Sequence, residues 1–291
     1  MRTPWSAGTV DFDGSSCEIM GIVNLTPDSF FDGGKHNEPK AAFDHARSLV
    51  DAGARILDLG AASSRPGFEP VPVEEELRRL LPALELIAPM ALERGVVLSV
   101  DTTSAEVARR AVERGVRIVN DIAYLRADPE MERTAVELSK EFGAAIVLNH
   151  PGSAESPNDM PSLAASLVRR AEELEAQGVE RRRILLDPGI GFGKTGEENL
   201  AILARLGELC ALDYPVLMGT SRKSFIGKIR GLESSDRLIP TVVTQFLSAG
   251  AGADVVRVHD AAETREALLL FSAMEKLPGI RARAPFFAEG N

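Results

Sequence analysis

The chain has 291 residues, of which 44% are hydrophobic and 26% charged, and its formal net charge is −10. An acidic surplus of this size excludes general nucleic-acid binding, because no basic excess exists to neutralise phosphates. No apolar run reaches the roughly 18 residues that a membrane span requires. Two cysteines, Cys17 and Cys210, stand in no CxxC spacing, which points to a reducing, cytoplasmic setting with no zinc site. The opening MRTPWSAGTVDFDGSS has no apolar centre and does not read as a signal peptide.

In chain order, residues 1–17 precede the first long apolar run, and Asp13-Gly14 is a turn signal that predicts a small N-terminal hairpin. Eight short aliphatic runs follow, at 19–25, 55–60, 96–101, 117–121, 144–150, 183–189, 215–221 and 254–260. Each is too short for a helix and reads as a strand buried on both faces. Helical spacing fills the intervals at 38–52, 73–94, 104–114, 129–142, 161–178, 197–211, 235–251 and 261–276. In 73–94, Leu77, Leu80, Leu81, Leu84 and Ile87 share one face, and Pro82 and Pro89 are expected to kink or split the helix. Strict alternation of strand and helix predicts a parallel sheet with helical crossovers. Eight units favour closure into an α/β (β/α)8 TIM barrel over an open doubly wound sheet. With no linker or low-complexity segment, the expected plan is one domain: hairpin 1–17, barrel 18–276 and a C-terminal tail 277–291.

The strand ends carry the chemistry in such a barrel. Here they bear Asn24, Asp58, Asp101, Asn120-Asp121, Asn149-His150, Asp187, Ser221-Arg222-Lys223 and Arg257-Val258-His259-Asp260. Asp121 and Asp260 read as caps or scaffold residues. A charge inside an apolar run is costly unless something meets it, which singles out Asp58, Asp101, Asp187 and Arg257. Asp101, Asn120 and Asp187 suit the donor and acceptor edge of a flat heterocycle. Arg65, Lys223, Arg257 and His259 suit a phosphate or diphosphate. Phe31 and Phe225 read as packing residues, His45 as a surface residue, and Arg181-Arg182-Arg183 as a solvated face at the barrel bottom.

The stretch ILLDPGIGFGKTG (184–196) nearly matches a P-loop, G-x-x-x-x-G-K-S/T, but Pro188 stands where the first glycine belongs. Thr195 and Glu198 form a capping box, so the next helix is expected to start after Thr195, too late for a phosphate cradle. Lys194 reads as a loop charge, and the chemistry moves forward to Asp187.

The ordered set IMGIVNLTPDSFFDGG, SSRPG, SVDT, NDI, LDPGIGFGKT, SRKSFIG and RVHD resembles the dihydropteroate synthases of the pterin-binding barrel family, over about residues 18–276. The resemblance implies condensation of 6-hydroxymethyl-7,8-dihydropterin diphosphate with p-aminobenzoate, with Mg2+ accompanying the diphosphate and an SN1-like departure of pyrophosphate. It assigns pterin binding to Asp101, Asn120, Asp187 and Lys223, with Asp101, Asp187 and Lys223 also catalytic. Diphosphate contacts fall to Asn24, Arg65, Arg257 and His259, and the metal contact to Asn24. Ser64, Arg65, Pro66, Phe192 and Ser221 are implied to line the p-aminobenzoate pocket, beneath loops 25–36 and 61–70 that order over the substrates.

A homodimer is implied as well, with 241–253 as a candidate surface. Two departures stand out. Ala62 and Ser64 replace a glutamate and a threonine common in the family, which bears on sulfonamide binding. Asn149-His150-Pro151 replaces Met-His-Met, leaving Leu148 as the candidate apolar cover for the pterin. The alternatives are a methyltetrahydrofolate methyltransferase of the same barrel type and a non-catalytic pterin-binding homologue.

Overall fold

The structure, a computed structural model, describes residues 2–26, 38–62, 71–152, 158–228, 231 and 233–276. It begins with an antiparallel hairpin of β1 (Trp5–Ala7) and β2 (Val10–Phe12). The expected hairpin is present, but its turn is Gly8-Thr9, with Gly8 at φ 62°. Asp13-Gly14 lies beyond it, where Asp13 accepts a hydrogen bond from Ser15 N–H at 2.9 Å.

Eight parallel strands follow: β3 (Glu18–Asn24), β4 (Ile56–Gly60), β5 (Val97–Asp101), β6 (Ile118–Asp121), β7 (Ala145–Asn149), β8 (Ile184–Asp187), β9 (Leu217–Met218) and β10 (Val255–Val258). Their order is β8-β7-β6-β5-β4-β3-β10-β9. A parallel bridge between Leu186 and Val216 joins the two ends, with Leu186 N–H donating to Pro215 O at 2.8 Å. The sheet therefore closes on itself as a (β/α)8 barrel, and the open doubly wound alternative is set aside.

The period-two alternation of strand side chains divides the barrel interior into two halves. Met20, Ile56, Val97, Ile118, Val147, Leu185, Leu217 and Val255 point inward at the N-terminal end and pack with Trp5, Ala7 and Phe12 of the hairpin. Trp5 stacks on Phe12 with ring centroids 4.0 Å apart. Counting two or four residues on along those strands gives Asn24, Asp58, Ser99, Asp101, Asn120, Asn149, Asp187 and Arg257. One end is thus an apolar plug and the other a polar well.

The intervening residues, among them Leu57, Leu98, Val119, Ile146 and Leu186, pack outward against the helices. Leu148 belongs to that outer layer and is fully buried there. It cannot cover a ligand in the well, so the sequence-based suggestion is corrected by strand parity.

The helices are α1 (Glu38–Asp51), α2 (Val73–Arg94), α3 (Ala105–Val112), α4 (Met131–Phe142), α5 (Met160–Ala176), α6 (Gly196–Ala204), α7 (Leu206–Leu209), α8 (Ser224–Lys228), α9 (Leu238–Ala251) and α10 (Ala261–Glu275). Pro82 and Pro89 do not split α2. Leu80, Leu84 and Ile87, all fully buried or nearly so, anchor the helix on both sides of Pro82, and this burial outweighs one lost backbone bond per proline. The stretch 197–211 is two helices, broken at Arg205 (φ −106°, ψ 12°). The capping box is present: Glu198 N–H donates to Thr195 Oγ1 at 3.2 Å, and Thr195 N–H to Glu198 Oε2 at 2.6 Å. At five residues, α8 is too short for periodicity to reveal.

Arg181–Arg183 form a 3-10 turn at the plugged end, where Arg182 pairs with Asp11. His45 is half-buried, its Nε2 within 3.1 Å of Ile22 O, rather than a plain surface residue. Among the described residues, no helix is long and apolar enough to cross a membrane.

Candidate active site

The polar well is built from strand ends whose register sets neighbours side by side. Asn24 pairs with Gly60, Gly60 with Asp101, Asp101 with Asn120, and Asn149 with Asp187. A Cβ on Gly60 would lie 3.6 Å from that of Asp101, an ordinary van der Waals separation.

At the floor, Arg257 reaches inward from β10. Its Nε donates to Asp58 Oδ2 at 2.6 Å and its Nη2 to Asp101 Oδ2 at 2.8 Å. Asn120 Nδ2 donates to Asp58 Oδ2 at 3.0 Å. Burial pushes the Asp101 carboxyl above the ordinary carboxylate range, against the pull of the Arg257 guanidinium. Among the described residues, Asp58 Oδ1, Ser99 Oγ, Asn120 Oδ1 and Asn149 Oδ1 are buried without a hydrogen-bond partner. Unsatisfied acceptors are costly in a dry interior. Three of them, Asp58 Oδ1, Asn120 Oδ1 and Asn149 Oδ1, are pure acceptors on inward-facing positions at the same end of the barrel, where a ligand's N–H donors would pair them.

On the opposite side, Asp187 ends β8 and accepts from Gly189 N–H at 2.7 Å. Lys223, in the turn after β9, donates from Nζ to Ile190 O, and the same atom stands 4.5 Å from the centroid of the Phe192 ring. Burial lowers the Lys223 ammonium to about 8, although Asp187 holds it up. Burial raises the Asp187 carboxyl, with Lys223 the chief opposing charge. Asp187 and Asp101 both act on Lys223, and Arg257 acts on Lys223 and Asp187, so the two halves of the well share one electrostatic field.

The rim above Lys223 is fixed by an ion pair. Arg222, at φ 54°, donates from Nε and Nη2 to the two carboxylate oxygens of Asp260 at 2.9 and 2.5 Å. Asp260 makes no side-chain cap to α10. Its role is to join the β9 and β10 loops, while Asp121 is the scaffold residue expected, accepting from Ala123 and Leu125 N–H. Within this joint, Ser221 Oγ lies 3.0 Å from His259 Nδ1 and accepts from His259 N–H at 3.2 Å.

Of the residues singled out in the sequence, the barrel gathers Asn24, Asp101, Asn120, Asp187, Phe192, Ser221, Lys223, Arg257 and His259 at the C-terminal ends of the strands and the loops that follow them. Ser64, Arg65 and Pro66 lie outside the described residues, as do 27–36 of the first loop and 63–70 of the second. Phe225 is a packing residue, 4% exposed. One member of the site, Asp58, is singled out in the sequence without a role, and another, Lys194, escapes sequence reasoning. Asp58 is fully buried in contact with Arg257, and its place two residues after Ile56 in an apolar strand is the available signal. Lys194 is no loose loop charge: its Nζ donates to three backbone carbonyls, those of His150, Gly189 and Phe192.

The family model described as "Pterin binding enzyme" matches residues 20–259. The Bacillus subtilis dihydropteroate synthase is 41% identical over 90% of this chain and 90% of its own length. The Escherichia coli dihydropteroate synthase is 39% identical over 90% and 93%. The Xanthomonas albilineans dihydropteroate synthase solved with 4-aminobenzoic acid superposes with a TM-score of 0.87 at 38% identity, covering 96% of this chain and 100% of that one. The same enzyme in complex with 7,8-dihydropteroate gives a TM-score of 0.84, covering 94% and 100%. Closed as a barrel with a polar well at one end, and matched over 90% or more of its length by these relatives, the chain belongs to the dihydropteroate synthase family of pterin binding enzymes.

Proposed function

We propose that the protein condenses 6-hydroxymethyl-7,8-dihydropterin diphosphate with p-aminobenzoate, giving 7,8-dihydropteroate and pyrophosphate. The observation that carries this reading is the planar guanidinium of Arg257 bound between Asp58 and Asp101. A guanidinium presents the same fork of N–H donors as the aminopyrimidine edge of a pterin, so carboxylates arranged for one suit the other. The pterin edge takes Asp101, Asn120 and Asp187, with Lys223 meeting a ring acceptor. Arg257, released from the floor, turns with His259 and Asn24 to the diphosphate.

The reaction breaks the C–O bond between the pterin methylene and the diphosphate, and the bonding pair leaves with pyrophosphate. The buried carboxylates of Asp101 and Asp187 stabilise the positive charge that develops on the pterin. The aniline nitrogen lone pair then forms the C–N bond, and that nitrogen releases a proton to solvent. Phe192, beside Lys223, forms one wall for the incoming ring.

Magnesium fits as a partner of the substrate rather than as a resident ion. Among the described residues, no three of His, Cys, Asp and Glu converge on a metal position. Asn24 is half-buried at the end of β3 and offers one hard oxygen to a cation whose other ligands come from the diphosphate. Bound there, the ion would neutralise charge on the leaving group.

Purified protein supplied with the pterin diphosphate is expected to release pyrophosphate only when p-aminobenzoate and Mg2+ are both present, and less when a sulfonamide is added. Pterin binding without turnover would favour the non-catalytic reading, and methyl transfer from methyltetrahydrofolate to a corrinoid would favour the methyltransferase. The two cysteines, both free thiols, fit the reducing setting of the cytoplasm.

The assembly is read as a homodimer. Ile239 and Val243 on α9 are 76% and 51% exposed, and Leu270 and Met274 on α10 are 60% and 38% exposed. Each pair is spaced i, i+4 and so forms one apolar row on its helix. A second copy of the chain is the proposed cover, which revises the candidate surface from α9 alone to α9 with α10. Sedimentation equilibrium is expected to give twice the chain mass, and Val243→Glu with Leu270→Glu to return it to one.

A further inference from the structure

The loops after β7 and β8 touch backbone to backbone. A Cβ on Gly189 would lie 1.8 Å from His150 O, and one on Gly152 2.6 Å from Phe192 O. Chains packed this closely have carbonyls facing a region that water cannot easily reach. Lys194 supplies the donors. Its Nζ lies 2.9 Å from His150 O, 3.0 Å from Gly189 O and 3.2 Å from Phe192 O. Three N–H groups thus meet three carbonyls, and the ammonium is fully used.

The fixed points matter for what they carry. Gly189 O also accepts from Phe192 N–H at 3.1 Å, so both backbone groups of Phe192 belong to the turn that Lys194 closes. The other side of the loop is held by Asn199, 2% exposed, whose Oδ1 accepts from Gly191 N–H at 2.7 Å. The Phe192 ring then stands beneath Lys223 Nζ, which bonds Ile190 O in the same turn.

We infer that Lys194 is a positioning residue for the second substrate: by clamping the β7 and β8 corners together, it sets where Phe192 stands for p-aminobenzoate. This rests on the proposed function, because it takes Phe192 as a wall of the p-aminobenzoate pocket. Asp58, Asp101 and Asn120 hang from other strands and are held by their own bonds, and Asp187 and Lys223 are carried by β8 and by the turn after β9, so the pterin contacts depend on the clamp less than Phe192 does. A lysine that merely stabilised the fold would affect both substrates alike.

The test is a double-mutant cycle on the full-length enzyme. Lys194→Met keeps the stem and removes the donors, and Phe192→Ala removes the ring. Each is expected to raise KM for p-aminobenzoate about ten-fold, on the scale of one lost contact. The pterin diphosphate Kd, measured without p-aminobenzoate, should stay within about two-fold. The double variant should be no worse than the worse single, because both act on one element. Folding is followed separately through Trp5, the single tryptophan, at the far end of the barrel.

If Lys194→Met does not fold, Lys194→Gln and Lys194→Arg enter the same cycle. Partial recovery of KM by Arg relative to Gln supports the clamp. An unchanged KM, equal losses for both substrates, or additive effects in the double variant overturn it while leaving the proposed function intact. No turnover by the wild-type protein overturns both.

Discussion

Replacing Asp187 with Asn, or Lys223 with Ala, is expected to lower kcat/KM for the pterin diphosphate by about 100- to 1,000-fold while the protein remains folded. Removing a charged group that hydrogen-bonds a buried ligand leaves the ligand's group unpaired, a loss on the order of 3–4 kcal/mol of binding. Stability should respond differently. The amide introduced by Asp187→Asn keeps an oxygen for Gly189 N–H, the bond that Asp187 makes at 2.7 Å, and it no longer carries a charge that burial disfavours. Urea midpoints of this variant are expected to match or exceed wild type. Unchanged pterin affinity in both variants would remove Asp187 and Lys223 from the site.

The same groups set the sign of the pH dependence. Lys223 and Lys194 are both lowered by burial to about 8, so their positive charge is present below that pH and lost above it. Asp101 is raised by burial, so its carboxylate is lost on acidification sooner than for an exposed aspartate. The free enzyme governs kcat/KM, which is therefore expected to fall on both sides of a narrow optimum.

The largest effect on folding is expected at Gly189. An alanine there would put its Cβ 1.8 Å from His150 O, at φ 69°. The obstacle is backbone, which cannot rotate away as a side chain can, and positive φ adds strain for any residue with a Cβ. Gly189→Ala should cost about 3 kcal/mol or more, or prevent folding. Gly196, the first residue of α6, makes the control: nothing lies within 4 Å of its would-be Cβ. Gly196→Ala should be neutral or raise stability by about 0.5–1 kcal/mol. Similar urea midpoints for the two variants would mean that the β7 and β8 corners are not packed as described.

These residues also show where reading the sequence stops. The alternation of strands and helices is legible because buried strands and amphipathic helices are each written in local composition. The polar strand ends are legible because charges interrupt apolar runs. Parity is a different matter: a strand states that residues 147 and 149 share one face and 148 the other, but not which face is inside. Leu148 falls on the wrong side for that reason, and Asp58 goes unassigned to the site although it shares a face with Ile56. Partners separated by long stretches of chain are less accessible still. Arg257 meets Asp58 across 199 positions, and nothing in either neighbourhood encodes the other. Lys194 reads as a loose charge because its partners are backbone carbonyls, which no residue type advertises.

The stacked Trp5 and Phe12 have a kinetic meaning beyond their packing. The strands' own apolar side chains fill the N-terminal half of the barrel and the hairpin packs beneath them, so the well opens at one end only. On the proposed function, the pterin must descend to the floor of Asp58, Asp101 and Asn120, while p-aminobenzoate sits nearer the rim beside Phe192 and Lys223. Whatever arrives at the rim first blocks what belongs below it. On that reading pterin diphosphate is expected to bind before p-aminobenzoate, and product-inhibition patterns that fit random addition would count against it.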